Sequence, residues 1–552
     1  MSAGRVDIRQ HLRDRIRAVV ESEGWGGALS GEVAIELPRE FAHGDLSTTA
    51  SFTLAKALKK SPKEIASRLA ERLTPDEVIG RVEIAGAGYV NIFLADSVWE
   101  SVLGEITSQG EKYGASRMLE GEKFLVEFVS ANPTGPVVVA NARAAAFGDS
   151  LCRVLETAGA KVDREFYVND AGMQVRNLGL SVLARLTELK GGKAELPADG
   201  YHGDYVKDIA ANLPSGVGAE PDMEKRLKLA SNFAVDRMLE AQKDDLAMVG
   251  VQFDNWFRER QLHESGAVWK ALDALVSAGV TFEKDGATWF QATKFGDEKD
   301  RVMRKSDGNP TYTLPDMAYH HDKFSRGYTR LINILGADHQ VEVRTLESVL
   351  KAAGEPTDRL EVIILQFVHL KRGDEKVIMS KRSGSIVSMR ELVEDVGKDA
   401  ARFFFLLRAP SSHLDFDMDL AKKQTDENPV YYIQYAHARL NSLMDYARNA
   451  GVKLPEQVSA ADLAEPESKL VLRKLARYPM VLEKAAVGRA PHLLTHEMLE
   501  LAQAVHGFYT KHRVVGAGSP ACESARLALV TAAKQVIANG LGLLGVSAPD
   551  RM

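Results

Sequence analysis

KFLVEFVSANPTGPVVVANARAAAFGDSLCRVLE, Lys123 to Glu156, decides the fold of this chain. Its apolar run, Phe124 to Val129, predicts a short buried parallel strand. A Pro/Gly-rich turn follows, Asn132-Pro133-Thr134-Gly135-Pro136. Good helix formers then run from Ala142 to Glu156 at helical spacing, stopped by Gly159. Strand, tight turn and helix form the opening unit of a nucleotide-binding α/β domain. The helix start offers unpaired N–H groups and a positive dipole end, which favour phosphate. Many α/β proteins carry such a unit with no ligand on it, so it points to a fold class before a function.

Around this unit, composition sets limits. A chain of 552 residues exceeds one core, and two to four domains are expected. An apolar share of 45% with 26% charged residues is that of a soluble globular protein. No uninterrupted apolar run reaches the ~20 residues a bilayer span needs. MSAGRVDIRQHLRDRIRAVV at the start has scattered charges and no apolar h-region, unlike a secretory signal. Cys152 and Cys522 are the only cysteines. They exclude a disulfide framework or a Cys-based zinc site within one chain and fit a reducing cytosol, so a cytoplasmic location is expected. Residues 421–552 hold 16 Lys/Arg against 12 Asp/Glu, whereas the whole chain is at −6. A mildly basic tail on an acidic body permits an RNA partner.

Upstream, residues 6–22 read as a surface helix. Ser47 or Thr48 can cap a helix, and Ser61-Pro62 with Glu64 spells a capping box for the next. Arg81 to Leu94 is β-like, with Gly86-Ala87-Gly88 marking a turn or a close backbone approach. This predicts an α+β domain over 1–112, with 104–115 as its linker. Downstream, Val162 to Val168, Leu331 to Leu335 and Leu360 to Leu370 read as further strands, with an insertion near 190–250. The pattern is helical throughout from Ala400, with no strand-like alternation. The boundaries are therefore 113–420 for the α/β domain and 421–552 for an all-α domain.

Three separated pieces carry candidate chemistry. Asn132 to Asn141 lies between strand and helix. Gly336-Ala337-Asp338-His339 follows a strand end, with an acid placed for a ribose hydroxyl. Met379-Ser380-Lys381-Arg382 lies in a cationic, glycine-bearing loop able to meet a triphosphate.

In this order the pieces resemble the class I aminoacyl-tRNA synthetases, and within them the arginyl-tRNA synthetase family. The resemblance covers essentially the whole chain. It runs through EFAHGDLSTTASFTLAK, VEFVSANPTGP, FYVNDAGMQVRNLG, SDGNPTYTLPDMAYHHDKF, LGADHQ, MSKRSGS, ENPVYYIQYAHARL and LLGVSAPDRM. It implies a Rossmann-type parallel-sheet catalytic domain, an N-terminal domain contacting the tRNA, and a helical anticodon-binding domain. It also implies ligation of L-arginine to tRNA(Arg) through an arginyl-adenylate, with ATP and Mg²⁺ as substrate complex and no tightly bound cofactor or metal site. A monomer without membrane contact is expected.

By the resemblance, Asn132, Tyr312, Asp316 and Gln340 line the arginine pocket together with Glu127. A guanidinium is planar and always charged, so it wants carboxylates, and Glu127 and Asp316 offer two. The bland alternatives are a structural ion pair for Glu127 and a core aromatic for Tyr312. ATP falls to Asn132, Pro133, Thr134, Gly135, Pro136, Val138, Ala140, Asn141, Gly336, Asp338, His339, Met379, Ser380 and Lys381. Asn141 and Lys381 are the candidate catalytic groups. Tyr435, Arg439 and Tyr509 are candidates for stacking and phosphate contact with tRNA, against a core role for the aromatics.

Two departures from the family pattern matter. The signature His-x-Gly-His is here Val138-Val139-Ala140-Asn141. That leaves Asn141 as its single side-chain donor, unless it serves as a helix N-cap. The signature Lys-Met-Ser-Lys-Ser is Ile378-Met379-Ser380-Lys381-Arg382, keeping the second lysine only, with Lys376 and Arg382 as nearby cations. The sequence therefore leaves open an active ligase with a drifted signature and a catalytically weak or silent paralogue that binds tRNA or arginine as a regulator. A ligase for another amino acid is disfavoured by Glu127, Asp316 and the SAPDRM terminus.

Overall fold

The structure is a computed structural model; it describes residues 8–29, 31–38, 41–373, 375–376 and 387–552. The opening unit folds as a strand, Lys123–Glu127, and a helix, Val139–Thr157. The strand stops before the expected Val129 because Val129 and Ser130 both adopt positive φ, 69° and 38°. That region is sterically costly for a β-branched residue, so the kink has to be held by its surroundings.

Lys123–Glu127 is the middle strand of a five-stranded, all-parallel sheet. Lys161–Val168 and then Asn255–Arg258 lie to one side of it, Arg330–Gly336 and then Leu360–Leu365 to the other. The chain builds one half outward before crossing to the other. This places the topological switch point between Lys123–Glu127 and Arg330–Gly336, with a crevice outside their carboxyl ends. The helices Gly172–Leu189, Asp204–Ala211, Ser215–Ala219 and Met223–Met248 form the crossover around the insertion expected near 190–250. A three-stranded antiparallel sheet, Thr281–Lys284, Ala287–Phe290 and Arg301–Arg304, lies between the halves and has no counterpart in the sequence reading.

The expected single strand Leu360 to Leu370 is two strands. At Gln366 the backbone leaves the ladder, its N–H donating to the Pro410 carbonyl. Val368–Arg372 then joins a second small sheet, parallel to Leu414–Asp417. That last strand also corrects the expectation of helix alone beyond Ala400. Four long helices follow, Pro429–Asn449, Pro466–Val487, His492–Lys511 and Pro520–Leu544. Pro520–Leu544 has the length and composition to cross a membrane, but 61% of its most apolar stretch is buried inside the molecule.

Near the start, the helices Ile8–Ser22, Ala50–Leu58 and Pro62–Arg72 accompany a four-stranded sheet. Gly86 and Gly88, at positive φ, close its hairpin, and a Cβ on Gly88 would lie 2.9 Å from Pro62. Pro62 opens its helix as expected, but Ser61 makes no side-chain cap, so that capping box is absent. Thr48 does act at a helix start, its Oγ1 accepting from the Ala50 N–H at 3.2 Å. The expected linker is not a free one: 104–109 belong to the helix Asp96–Gln109, and the residues after it are bolted to the C-terminal helices. The Tyr113 hydroxyl donates to the Leu475 carbonyl at 2.9 Å, and its ring stacks on Tyr478.

Candidate active site and tRNA interface

At the carboxyl end of the central strand, Glu127 is 6% exposed. One of its oxygens accepts from the Ser130 hydroxyl at 2.9 Å, the other from the buried Lys323 amine. Lys323 also donates to Asn333 Oδ1 at 2.9 Å and stands 4.1 Å from the Tyr319 ring centre. The ion-pair reading of Glu127 is thus what the folded chain displays. Asn333 donates to His320 Nε2 at 2.7 Å, and His320 Nδ1 donates to the Asp316 carbonyl at 2.8 Å. Burial drops the His320 pKa to about 3, so the ring is neutral.

Asp316 lies in the first turn of the helix Thr313–Ser325. Its carboxyl group makes no hydrogen bond or ion pair among the described residues. Burial, then the like charges of Glu259, Glu127 and Glu342, push its pKa up to about 7, against a smaller opposing effect of Lys323. Glu259, 7% exposed, follows the strand Asn255–Arg258. The Tyr167 hydroxyl is buried close to Glu259 and Asp316. Among the described residues the crevice therefore holds converging carboxylates: Glu127 is taken by Lys323, Glu259 lies 3.1 Å from His263, Glu342 contacts His339, and Asp316 has no cation of its own. That arrangement is short of positive charge, and a guanidinium supplies it.

Tyr312 is 73% exposed at the start of the same helix, which excludes the core reading and leaves it on the rim. Gln340 is exposed at the start of the helix Gln340–Ala352, two residues from Glu342. Asp338 and His339 are exposed after the strand end. A Cβ on Gly336 would come within 2.6 Å of Asp338 Oδ1, so a glycine there leaves room for the acid to fold back.

The turn Asn132 to Pro136 is braced from below. Gln242, fully buried, donates to the Asn132 and Gly135 carbonyls at 3.0 and 2.9 Å. The Tyr205 hydroxyl donates to the Thr134 carbonyl at 2.7 Å. Asn132, Pro136 and Ala140 are exposed, whereas Pro133 and Thr134 are buried and Gly135 and Val138 are half-buried. Asn141 is not the helix N-cap; Val138 holds that position without a side-chain cap. The Asn141 amide instead donates to the Val129 carbonyl at 3.3 Å, at the positive-φ kink. Its second N–H has no partner among the described residues.

Met379, Ser380, Lys381 and Arg382 lie outside the described residues, as does the side chain of Lys376. The chain re-emerges beside the signature: Ser388 bridges to Val138, and the Met389 N–H donates to the Val137 carbonyl at 2.8 Å. A true capping box, Ser388 with Glu391, starts the helix there.

The three tRNA candidates come together. Tyr435, Tyr509, Tyr431, Tyr432 and His506, with Asp426, line an open cleft of about 460 Å³. The Tyr435 and His506 rings are stacked at 5.9 Å and 5°, and the Arg439 guanidinium lies 5.7 Å from the Tyr509 ring. Tyr435 is 39% exposed and Tyr509 half-buried, so neither is sealed in the core. Sequence reasoning missed Glu259, Gln242 and Tyr205, which belong to no quoted motif. It also passed over Lys323, Tyr167 and Ser130, which stand inside quoted motifs and went unread for want of a partner.

Comparison with known proteins bears on this geometry. Residues 7–94 match the arginyl tRNA synthetase N terminal domain and 245–447 the class I (R) tRNA synthetase catalytic domain. Residues 433–552 match the DALR anticodon binding domain. The arginine–tRNA ligase of Thioalkalivibrio sulfidiphilus is 43% identical, covering 98% of this chain and all of its own. The chain belongs to the arginyl-tRNA synthetase family. A second member, the arginine–tRNA ligase of Carboxydothermus hydrogenoformans, is 47% identical over 94% of this chain and 95% of its own. The crystal structure of a protein described as an arginyl-tRNA synthetase from Campylobacter jejuni superposes with a TM-score of 0.76 at 33% identity. It covers 83% of this chain and all of its own. The parallel sheet, the N-terminal domain and the helical C-terminal region are thus the architecture of an arginyl-tRNA synthetase.

Proposed function

We propose that the chain ligates L-arginine to tRNA(Arg) in the bacterial cytoplasm, as a monomer, with ATP and Mg²⁺ as substrate complex. The observation that carries this is Asp316: a carboxyl group without a cation, raised to about 7 by burial and then by neighbouring carboxylates, at the switch-point crevice of a class I sheet. The guanidinium binds there, between Asp316 and the rim residues Tyr312, Gln340 and Asn132. Glu127 acts through its ion pair with Lys323, which fixes the pocket floor, and through Ser130. ATP lies over the turn Asn132 to Pro136 and the helix start Val138 to Asn141, with its ribose at Gly336, Asp338 and His339. Met379, Ser380 and Lys381 approach the phosphates from the loop. The domains divide at 1–112, 113–420 and 421–552, and the last reads the anticodon through Tyr435, Arg439 and Tyr509.

The arginine carboxylate attacks the α-phosphorus of ATP, and the bond to the bridging oxygen breaks, releasing pyrophosphate. A hydroxyl of the terminal tRNA adenosine then attacks the carbonyl carbon of the adenylate, and AMP leaves. No protein nucleophile is needed; the protein positions the substrates and stabilises charge on the transferring phosphate. The Val138 side chain donates nothing to it. Asn141, backbone N–H groups and Lys381 carry that load. The test is charging of tRNA(Arg) with labelled arginine by the purified protein. Charging far above a no-enzyme control is expected. Binding of tRNA and arginine without charging would instead support a silent regulator, a reading that nothing in the relatives or the pocket favours.

A further inference from the structure

Arg143 lies on the signature helix, just past Asn141, and is 1% exposed. It has no carboxylate partner among the described residues. Its Nη1 donates to the Gln366 and Ser412 carbonyls at 2.5 and 3.1 Å, its Nη2 to the Ala409 carbonyl at 3.0 Å. Burial without a counter-charge pulls its pKa down to about 10. Burying a charge in this way is costly, and what it secures is specific. It fixes two backbone turns, one running into Phe367 and the other into His413, to the helix that begins at the phosphate signature.

Those two turns carry rings. Phe367 and His413 are stacked at 6.5 Å and 13°, and His413 and His369 at 6.0 Å and 23°. The alternation of the two strands sets them facing outward: Val368, Leu370, Leu414 and Phe416 are buried, while Phe367 is 52% exposed and His413 is exposed. The column begins at the ligand edge of the main sheet. Leu365, two residues before Phe367, pairs with Gly336, where the Gly336-Ala337-Asp338-His339 segment opens. Neighbouring strands are ~4.8 Å apart, so Leu365 adjoins Gly336, and the first ring follows two residues along the chain, past the turn at Gln366.

We propose that Phe367, His413 and His369 form a stacking surface for the unpaired 3′ nucleotides of the tRNA, held in line with the adenylate by Arg143. This rests on the ligase reading above, which requires the terminal adenosine at this edge of the sheet. Unpaired nucleotides present their π-faces, and a column of exposed rings meets them without reading sequence. The outward face also carries polar groups: Asp415 lies 3.5 Å from His369 and accepts from Lys371.

The test measures dissociation constants for full-length tRNA(Arg) and for the same tRNA lacking its last four nucleotides. Phe367→Ala should weaken the full-length tRNA roughly tenfold and leave the truncated one unchanged, with arginine KM and melting temperature as in the parent. Phe367→Tyr should restore binding. Should Phe367→Ala fail to fold, Phe367→Leu keeps the apolar volume without the ring and is read the same way. Equal weakening of both tRNAs, or of neither, overturns the stacking surface. If the parent protein charges no tRNA, the ligase reading itself has failed; if it charges and the truncation effect is unchanged in the variants, only the stacking surface has.

Discussion

Asp316→Asn separates binding from stability in opposite directions. In the free protein the ordinary carboxyl value of 3.8 rises to about 7, a change equivalent to about 4 kcal/mol. Partial access of solvent to Asp316 screens this toward about 2–3 kcal/mol. The sign follows from linkage. A carboxyl group whose pKa is raised by folding contributes stability fully present below pH ~4 and lost as pH rises through about 7. Above pH 7 the free protein therefore holds an ionised, unpaired Asp316 facing Glu259, Glu127 and Glu342, with Lys323 committed to Glu127. Removing that charge should raise the melting temperature at pH 8. Arginine, by contrast, needs the ionised form. At pH 6 about a tenth of Asp316 is ionised, so the parent KM for arginine should rise about tenfold between pH 8 and pH 6. In Asp316→Asn that dependence should vanish, with a KM raised about 10- to 100-fold at pH 8, the cost of a lost charge-assisted bond. Charging kinetics at several pH values and thermal unfolding without arginine measure both. A variant that melts earlier, or a parent KM flat across this range, would refute the assignment of Asp316 as the guanidinium partner.

Asn141→Ala removes the amide that supports the Val129 kink and offers its second N–H to phosphate. It should lose about 1 kcal/mol of stability and about 10²-fold in kcat; normal turnover with an earlier melt would confine Asn141 to the kink. Lys381→Ala should lower kcat roughly 10²- to 10³-fold with little change in arginine KM, and a larger loss in Lys376→Ala would move the cation along the loop. Tyr435→Ala should raise the KM for tRNA by about 10-fold or more through lost stacking while arginine KM stays constant; an unchanged tRNA KM would return Tyr435 to a structural role.

What the sequence disclosed depended on how local the signal was. Lys123–Glu127 and Val139–Thr157 were legible because an apolar run, a Pro/Gly turn and an alanine-rich helix are all written within one stretch. The strand Leu414–Asp417 was not, because four residues carry too little alternation to stand out between helices. The break at Gln366 depends on a hydrogen bond to Pro410, a partner distant in sequence. The same division holds in the site. Asp316 and Tyr312 could be read as neighbours on a helix start. Glu259 reaches Asp316 only because the strand Asn255–Arg258 ends at the same crevice, a matter of sheet order that no motif encodes. Which side chains Glu127 pairs with is likewise a matter of the fold, which brings it to Lys323 and Ser130.

The bracing of the turn bears directly on how a signature without histidine handles phosphate. Gln242 pins the Asn132 and Gly135 carbonyls, and each of these peptides leads into a proline, which has no N–H to turn toward a ligand. Gln242 thus fixes the shape of the turn without orienting a donor. The Thr134 carbonyl is different. Its bond to Tyr205 sets the peptide plane, and planarity aims the Gly135 N–H the opposite way. The Val137 N–H is taken by Asp245, itself paired with Arg390 at 2.6 Å. Among the described residues, the donors left for the proposed triphosphate are then the Gly135 N–H, the Val139 and Ala140 N–H groups, the Asn132 side chain and the spare side-chain N–H of Asn141. Backbone donors of this kind are useful only if their positions are held. The pressure for rigidity therefore falls on Gln242, Tyr205 and the helix Met223–Met248 that carries Gln242, residues that touch no substrate.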